Sequence, residues 1–201
     1  MMARTHLMST SAIGHGFLYW HYHAYMRAID VEPMTFFSTI VLFIGDRLGL
    51  TWENGVLSLT FHLIALSAAL LFGALLPDID SETSTLGRYV KPIARAIPHR
   101  TFTHTLWVVL VLGIVSAFVD NGYLYMLTLG YTLHIVEDAF SRQGICWFYP
   151  VIGTYRKFGN GAVIKNNRNP KFFFYRTNKT SEWVVFSFFL AVNFYLIMLY
   201  I

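Results

Sequence analysis

The sequence predicts an all-α protein, a polytopic membrane bundle of about four to five embedded helices, in a single domain spanning residues 1–201. Three observations carry this. Apolar residues make up 55% of the chain and charged residues 13%, where a soluble domain carries about 25% charged. The apolar residues fall in long runs, and the basic residues fall between those runs. The net charge of +4 does not point to nucleic acid, because the basic stretches are separated by apolar segments. The single cysteine, Cys146, excludes an intramolecular disulfide framework and a cysteine-based zinc ribbon.

The elements follow in order. The first 30 residues contain His6, His15, His21 and His23, with no clean apolar core before a small-residue cleavage site, so no signal peptide is expected. Ser9–Met26 is rich in Tyr, Trp and His, which suits the membrane interface. His15, His21 and His23 lie among its aromatics, and interfacial packing is their expected role. Pro33–Leu50 is a weaker span, with Asp46 and Arg47 near its end expected to pair with each other or to snorkel. Gly55–Pro77 is long enough for the ~30 Å hydrocarbon layer, which takes roughly 20 residues. His62, in mid-span, is expected to hydrogen-bond across helices. His104–Val136 is apolar except at Asp120-Asn121-Gly122 and reads as a tight helical hairpin. Its arms, 104–119 and 123–137, are short for full spans and would suit a partly sunken bundle. Residues 151–182 are aromatic and basic, with Asn160–Pro170 the clearest loop. Trp183–Ile201 is a C-terminal transmembrane helix.

Orientation follows from the basic residues. The segments Asp78–Thr103 and Asp138–Glu182 hold 12 of the 15 Lys and Arg. The opposite connections, Thr51–Asn54 and Asp120–Gly122, hold none. The positive-inside rule makes the two basic segments cytoplasmic. With Pro33–Leu50 counted, the N-terminus is inside and the C-terminus outside.

On that arrangement the polar residues converge. Asp78 and Asp80 follow Pro77 where the Gly55 helix reaches the cytoplasmic side. His99 and His104 bracket the start of the next helix, with Thr103 as its expected N-cap. The hairpin returns His134 and Asp138, four residues apart and so on one helix face, to the same side. His6 can join them from an N-terminus inside. Imidazole and carboxylate donors without thiolate suit zinc, manganese or iron. Three carboxylates and two divalent ions leave a slightly positive site that would welcome a phosphate. Arg100, beside His99, has the fork geometry for one. Each residue also has a plainer reading. Asp78 and Asp80 can end a helix in water, although acids at a helix C-terminus oppose its dipole. Asp138 can pair with Arg100 or Arg142. Glu137 can be a general base beside the metals or a headgroup-facing residue. The basic run after Asp138 can simply face anionic lipid.

Leu75–Asp80 (L-L-P-D-I-D), His99–Thr105 (H-R-T-F-T-H-T) and His134–Asp138 (H-I-V-E-D), followed by Gly144 and Pro150, resemble the YdjM family of bacterial membrane-bound, metal-dependent hydrolases. Thr5-His6 matches that family's T-H pair, so the resemblance runs over residues 5 to 150. Thr101 and Thr105 stand where the family commonly has Gly and Ser, and nothing after Pro150 matches a motif. The family is distantly similar to zinc-dependent phospholipase C and the P1-type nucleases. That implies phosphoester hydrolysis at one to three zinc (or manganese) ions, with His6, Asp78, Asp80, His99, His104, His134 and Asp138 as ligands. It also implies residence in a bacterial inner membrane.

Three functions compete. The first is a metal-dependent phosphoesterase acting on a phospholipid or polyprenyl phosphate, with Arg100 and Glu137 as its catalytic side chains and the bilayer as its partner. The second is a transporter, against which the ligands lie at helix ends and not at mid-membrane. The third is a non-catalytic membrane protein whose metal ties helices together.

Overall fold

The computed structural model describes residues 3–29, 36–49, 55–141, 144–151, 155–158, 161–164 and 180–200. Within them the chain is helical apart from one short hairpin of strands. The helices are α1 (Ala3–Ile29), α2 (Phe36–Arg47), α3 (Gly55–Leu75), α4 (Lys91–Ala96), α5 (Leu106–Val119), α6 (Gly122–Ala139) and α7 (Thr180–Tyr200). Two 3₁₀ turns, Pro77–Asp80 and Phe102–His104, lie at the ends of α3 and α5. The strands β1 (Tyr155–Phe158) and β2 (Gly161–Ile164) pair antiparallel, a small addition to the all-α fold expected. β2 occupies part of the expected loop Asn160–Pro170; Asn160 and residues 165–170 lie outside the described residues, as do Arg142, Lys171, Arg176 and Lys179.

The α5–α6 hairpin forms where the polar break predicted it. Asp120 closes α5 in the left-handed conformation, and its N–H donates to Ser116 O. The Asn121 side chain then accepts from the N–H groups of Tyr123 and Leu124, an N-cap that starts α6. Arg47, expected beside Asp46, reaches this turn instead and pairs with Asp120. His62 bridges helices as expected, 2.9 Å from Tyr123 OH and 2.7 Å from Leu48 O. His15 lies between Ser11 of α1 and Ser67 of α3, at 3.0 and 2.9 Å.

The central pair is α3 and α6, and two glycines set its spacing. A Cβ on Gly130 would stand 1.9 Å from Leu70 O, and one on Gly73 would stand 2.1 Å from Leu127 O. The two backbones therefore touch, as small residues permit in membrane helix pairs. Around this pair, Leu18, Leu48, Leu66, Leu70 and Met126 bury together. Tyr131, Ile135, Ala139 and Ile145 form a second core nearer the polar cluster. α1 packs on α2, α3, α6 and α7.

Outward faces are apolar. Val111, Ile114, Phe118 and Val119 of α5 are exposed, as are Val184, Phe188 and Phe194 of α7. Among the described residues one segment, Phe61–Asp80, is long and apolar enough to cross a membrane, while Leu106–Val119 and Glu182–Leu196 are shorter apolar helices. The candidate span Pro33–Leu50 contains only the 12-residue α2 among its described residues.

Candidate functional site

The end of α3 places the first two acids. Pro77 lacks an N–H and cannot continue the helical hydrogen bonding, so the chain tightens into the Pro77–Asp80 turn. Asp78 and Asp80 leave it towards the 98–104 segment. Asp80 organises that segment. Its Oδ1 lies 2.6 Å from His99 Nδ1, and its Oδ2 accepts from Arg100 N–H at 3.0 Å and from the Thr103 hydroxyl. Both oxygens are thereby engaged. Asp80, expected among the ligands, orients this segment through those bonds. Thr103, expected to cap α5, spends its hydroxyl here; Thr105 holds the N-cap position without a capping bond, its hydroxyl donating to Phe102 O.

The imidazoles are set by the nitrogens that face away from the cluster. His104 Nδ1 lies 2.9 Å from Thr103 Oγ1. That hydroxyl already donates to Asp80, so the ring nitrogen carries the proton and Nε2 is left with its lone pair. His134 Nδ1–H donates to Ala74 O of α3 at 2.6 Å, across the glycine contact. Again Nε2 is the free end. His104 Nε2 and His134 Nε2 are both buried without a hydrogen-bond partner. Orphaned buried nitrogens are rare and call for a cause.

Two carboxylates face these nitrogens. Asp78 Oδ1 lies 3.8 Å from His104 Nε2 and 3.6 Å from His134 Nε2. Asp138 Oδ2 lies 3.5 and 3.9 Å from the same two atoms. Donors held about 2.1 Å from a tetrahedral ion stand roughly 3.4 Å apart, so a contraction of a few tenths of an ångström would close this set on a cation. Rings anchored on one side and bare on the other are also the arrangement that metal-binding histidines adopt. The residues fit a divalent ion.

His6 and His99 widen the cluster. His6 stacks on His134 with ring centres 3.9 Å apart, its Nδ1 is 2.7 Å from Glu137 Oε2 and its Nε2 is 3.4 Å from Asp138 Oδ1. His99 stands at the edge with its side chain 36% exposed, beside Asp78 at 16%. Among the described residues two groups have metal-ligand spacing, His6–His134–Asp138 and Asp78–His99–His104, each with donor atoms within 4.8 Å of one another. Six of the seven expected ligands thus meet, and Asp80 backs them.

Arg100 has a different place from the one expected. It is 4% exposed and both its Nη atoms are engaged, while Nε has no hydrogen-bond partner. Nη2 donates to Asp138 Oδ1 at 2.8 Å, and Nη1 donates to Ser141 Oγ at 2.8 Å and Gly144 O at 3.4 Å. The plainer reading of Asp138, pairing with Arg100, is what the structure contains. The pair leaves Oδ2 of Asp138 turned to the histidines. Arg142 lies outside the described residues.

Sequence reasoning missed several supports. Ala74 O and Ser141 Oγ carry no signal in a sequence. Glu182 did carry one, as the sole acid in the chain after Asp138.

The family model described as YdjM inner membrane protein matches residues 1–201. The chain belongs to the YdjM family. It is 38% identical over 87 residues to Inner membrane protein YdjM of Escherichia coli (strain K12), covering 38% of this chain and 44% of that protein. The Shigella flexneri YdjM protein gives the same figures, 38% over 87 residues. YvsG of Bacillus subtilis (strain 168) is 32% identical over 96 residues, 45% of this chain and 60% of YvsG. The chain therefore spans less than half the length of the two YdjM relatives it matches. No solved structure matches significantly.

Proposed function

We propose that this YdjM-family chain is a bacterial inner-membrane, metal-dependent hydrolase that cleaves a phosphoester of a lipid, a phospholipid or a polyprenyl phosphate. One observation carries the metal. Two buried imidazole nitrogens lack partners and face two carboxylates at 3.5–3.9 Å. Zinc is the ion best suited to this nitrogen and oxygen set, with manganese next. The charge balance supports an anionic substrate. Asp78, Asp80, Glu137 and Asp138 stand against the one buried guanidinium of Arg100, so the cluster becomes slightly positive once a second divalent ion joins the first, at the second of the two ligand groups.

His104, His134, Asp78 and Asp138 would hold the ion, with His6 and His99 as further ligands beside them. When bound, the ion would supply Lewis acidity towards a phosphoryl oxygen. Asp80 and Ala74 O orient the rings, and Asp138 is aimed by Arg100. Glu137, bonded to His6 Nδ1, is the group placed to take a proton from an attacking water. His99 and Asp78 form the accessible edge where a headgroup would arrive. The basic residues of the 78–103 segment support a cytoplasmic mouth, and the membrane crossings are those that place it there.

A second reading rests on the same four donors. Structural sites close around their ion with protein ligands alone, so a non-catalytic ion tying α3, α5 and α6 together is the alternative. The deciding experiment is metal analysis of protein purified in detergent, coupled to product release from phospholipid and polyprenyl phosphate substrates. Stoichiometric metal with chelator-sensitive release supports the enzyme. Metal without release from any of these substrates supports the structural ion, and absence of metal removes both readings.

A further inference from the structure

His6 occupies an insecure place for a ligand. It lies in the first turn of α1, which begins at Ala3. The opening N–H groups of a helix have no acceptor within it, and such turns fray at little cost. Its ring is nonetheless held to fixed neighbours, stacked on His134 and bonded to Glu137. Something must hold its backbone.

The holding contacts come from the far end of the chain. Thr5, immediately before His6, donates its hydroxyl to Glu182 Oε1 at 3.1 Å, and Glu182 is 0% exposed. Arg4 lies over the Trp183 ring at 4.1 Å. Further along, Asn193 donates to Met8 O at 2.9 Å and accepts from Ser11 at 2.7 Å. Apart from marginal contacts, α7 touches α1 alone among the described elements. A fully buried carboxylate at the mouth of an apolar helix is costly and implies a task.

We propose that α7 is a splint for α1 and that Glu182 is a positioning residue for His6, acting through Thr5. The proposal rests on the metal reading of the cluster and extends it to a residue outside the three sequence motifs. Glu182 also sits where an acid favours the helix dipole, and the two roles separate by substitution. Glu182→Gln loses the charge but keeps an oxygen that accepts from Thr5. Glu182→Ala loses both, and Thr5→Val removes only the donor.

The test is cobalt(II) titration of the full chain in detergent, with chelator competition for affinity and the visible spectrum for coordination. Removing a residue that supports a metal ligand typically weakens metal binding about 10–100-fold. Glu182→Ala and Thr5→Val should fall in that range with an altered visible band, and Glu182→Gln should match wild type. In a His6→Ala background, Glu182→Ala should add no further loss. Thermal unfolding of the metal-free variants guards against simple misfolding. Wild-type affinity in Glu182→Ala overturns the proposal. Equal losses in the Ala and Gln variants, additive with His6→Ala, do so in favour of the dipole role. If the wild type itself binds no cobalt, the metal reading fails first and the proposal falls with it.

Discussion

Replacing Arg100 separates two uses of one guanidinium. In the structure it neutralises Asp138, which is 1% exposed, through a 2.8 Å bond. Arg100→Ala would leave that carboxylate buried beside the other acids, and breaking a buried pair costs about 3–5 kcal/mol. Arg100 also has φ +64°, a conformation that costs a non-glycine residue roughly 1–2 kcal/mol. Arg100→Gly relieves that strain and should be destabilised by about 1–2 kcal/mol less than the Ala variant. Arg100→Lys keeps the charge but cannot hold Asp138 and Ser141 together, and one lost charge-assisted bond costs about 1.5–3 kcal/mol. The expected stability order places Arg first and Ala last, with Lys and Gly overlapping between them. Unfolding in denaturant, followed by tryptophan fluorescence in detergent, would give it. Metal affinity should fall in the Ala variant as Asp138 loses its aim. A stable Arg100→Ala protein with unchanged metal affinity and a poorer rate would refute the reasoning and return Arg100 to the role of phosphate holder.

Further outcomes follow from other contacts. His134→Ala, His104→Ala and Asp78→Ala should each lose most bound zinc by elemental analysis, while the exposed His23→Ala should keep it; equal metal in all four would dismiss the cluster. Gly130→Ala forces a Cβ against the α3 backbone at 1.9 Å, so overpacking should destabilise the protein by about 1–3 kcal/mol or more. It should also weaken metal binding by moving His134 from Ala74. In a chain with Cys146 replaced by Ala, a cysteine at Asn121 should react with a membrane-impermeant reagent in intact cells and one at Thr83 should not. Labelling at Thr83 would reverse the orientation.

Much of the site was legible before any coordinates. The α5–α6 hairpin announced itself through Asp120-Asn121-Gly122, because a helix break inside an apolar run must expose its polar groups. The i, i+4 spacing of His134 and Asp138 put both on one face, and the break returned them to the end where Asp78 and His104 stand. Burial, however, is a pairwise property that a one-dimensional reading assigns poorly. The order His99-Arg100 suggests a guanidinium free to hold a phosphate, yet the fold buries Arg100 against Asp138. For Arg47 the sequence suggests its neighbour Asp46 or the membrane surface, while the fold offers Asp120 across space.

The order of polar residues along apolar runs determined, by itself, the helical class and the set of chain segments that meet at one end. Period and hydrophobicity are local quantities, and they suffice for that. The tertiary structure alone decided which atom of each residue is free. Asp80 ties the 98–104 segment to the end of α3, because His99, Arg100 and Thr103 all bond its oxygens. His104 exposes Nε2 because its sequence neighbour Thr103, already donating to Asp80 across the turn, fixes the Nδ1 proton, and His134 does so because Ala74 O of α3 fixes its own. Hydrogen-bond partners are chosen by distance and direction in three dimensions, and adjacency in sequence does not encode either.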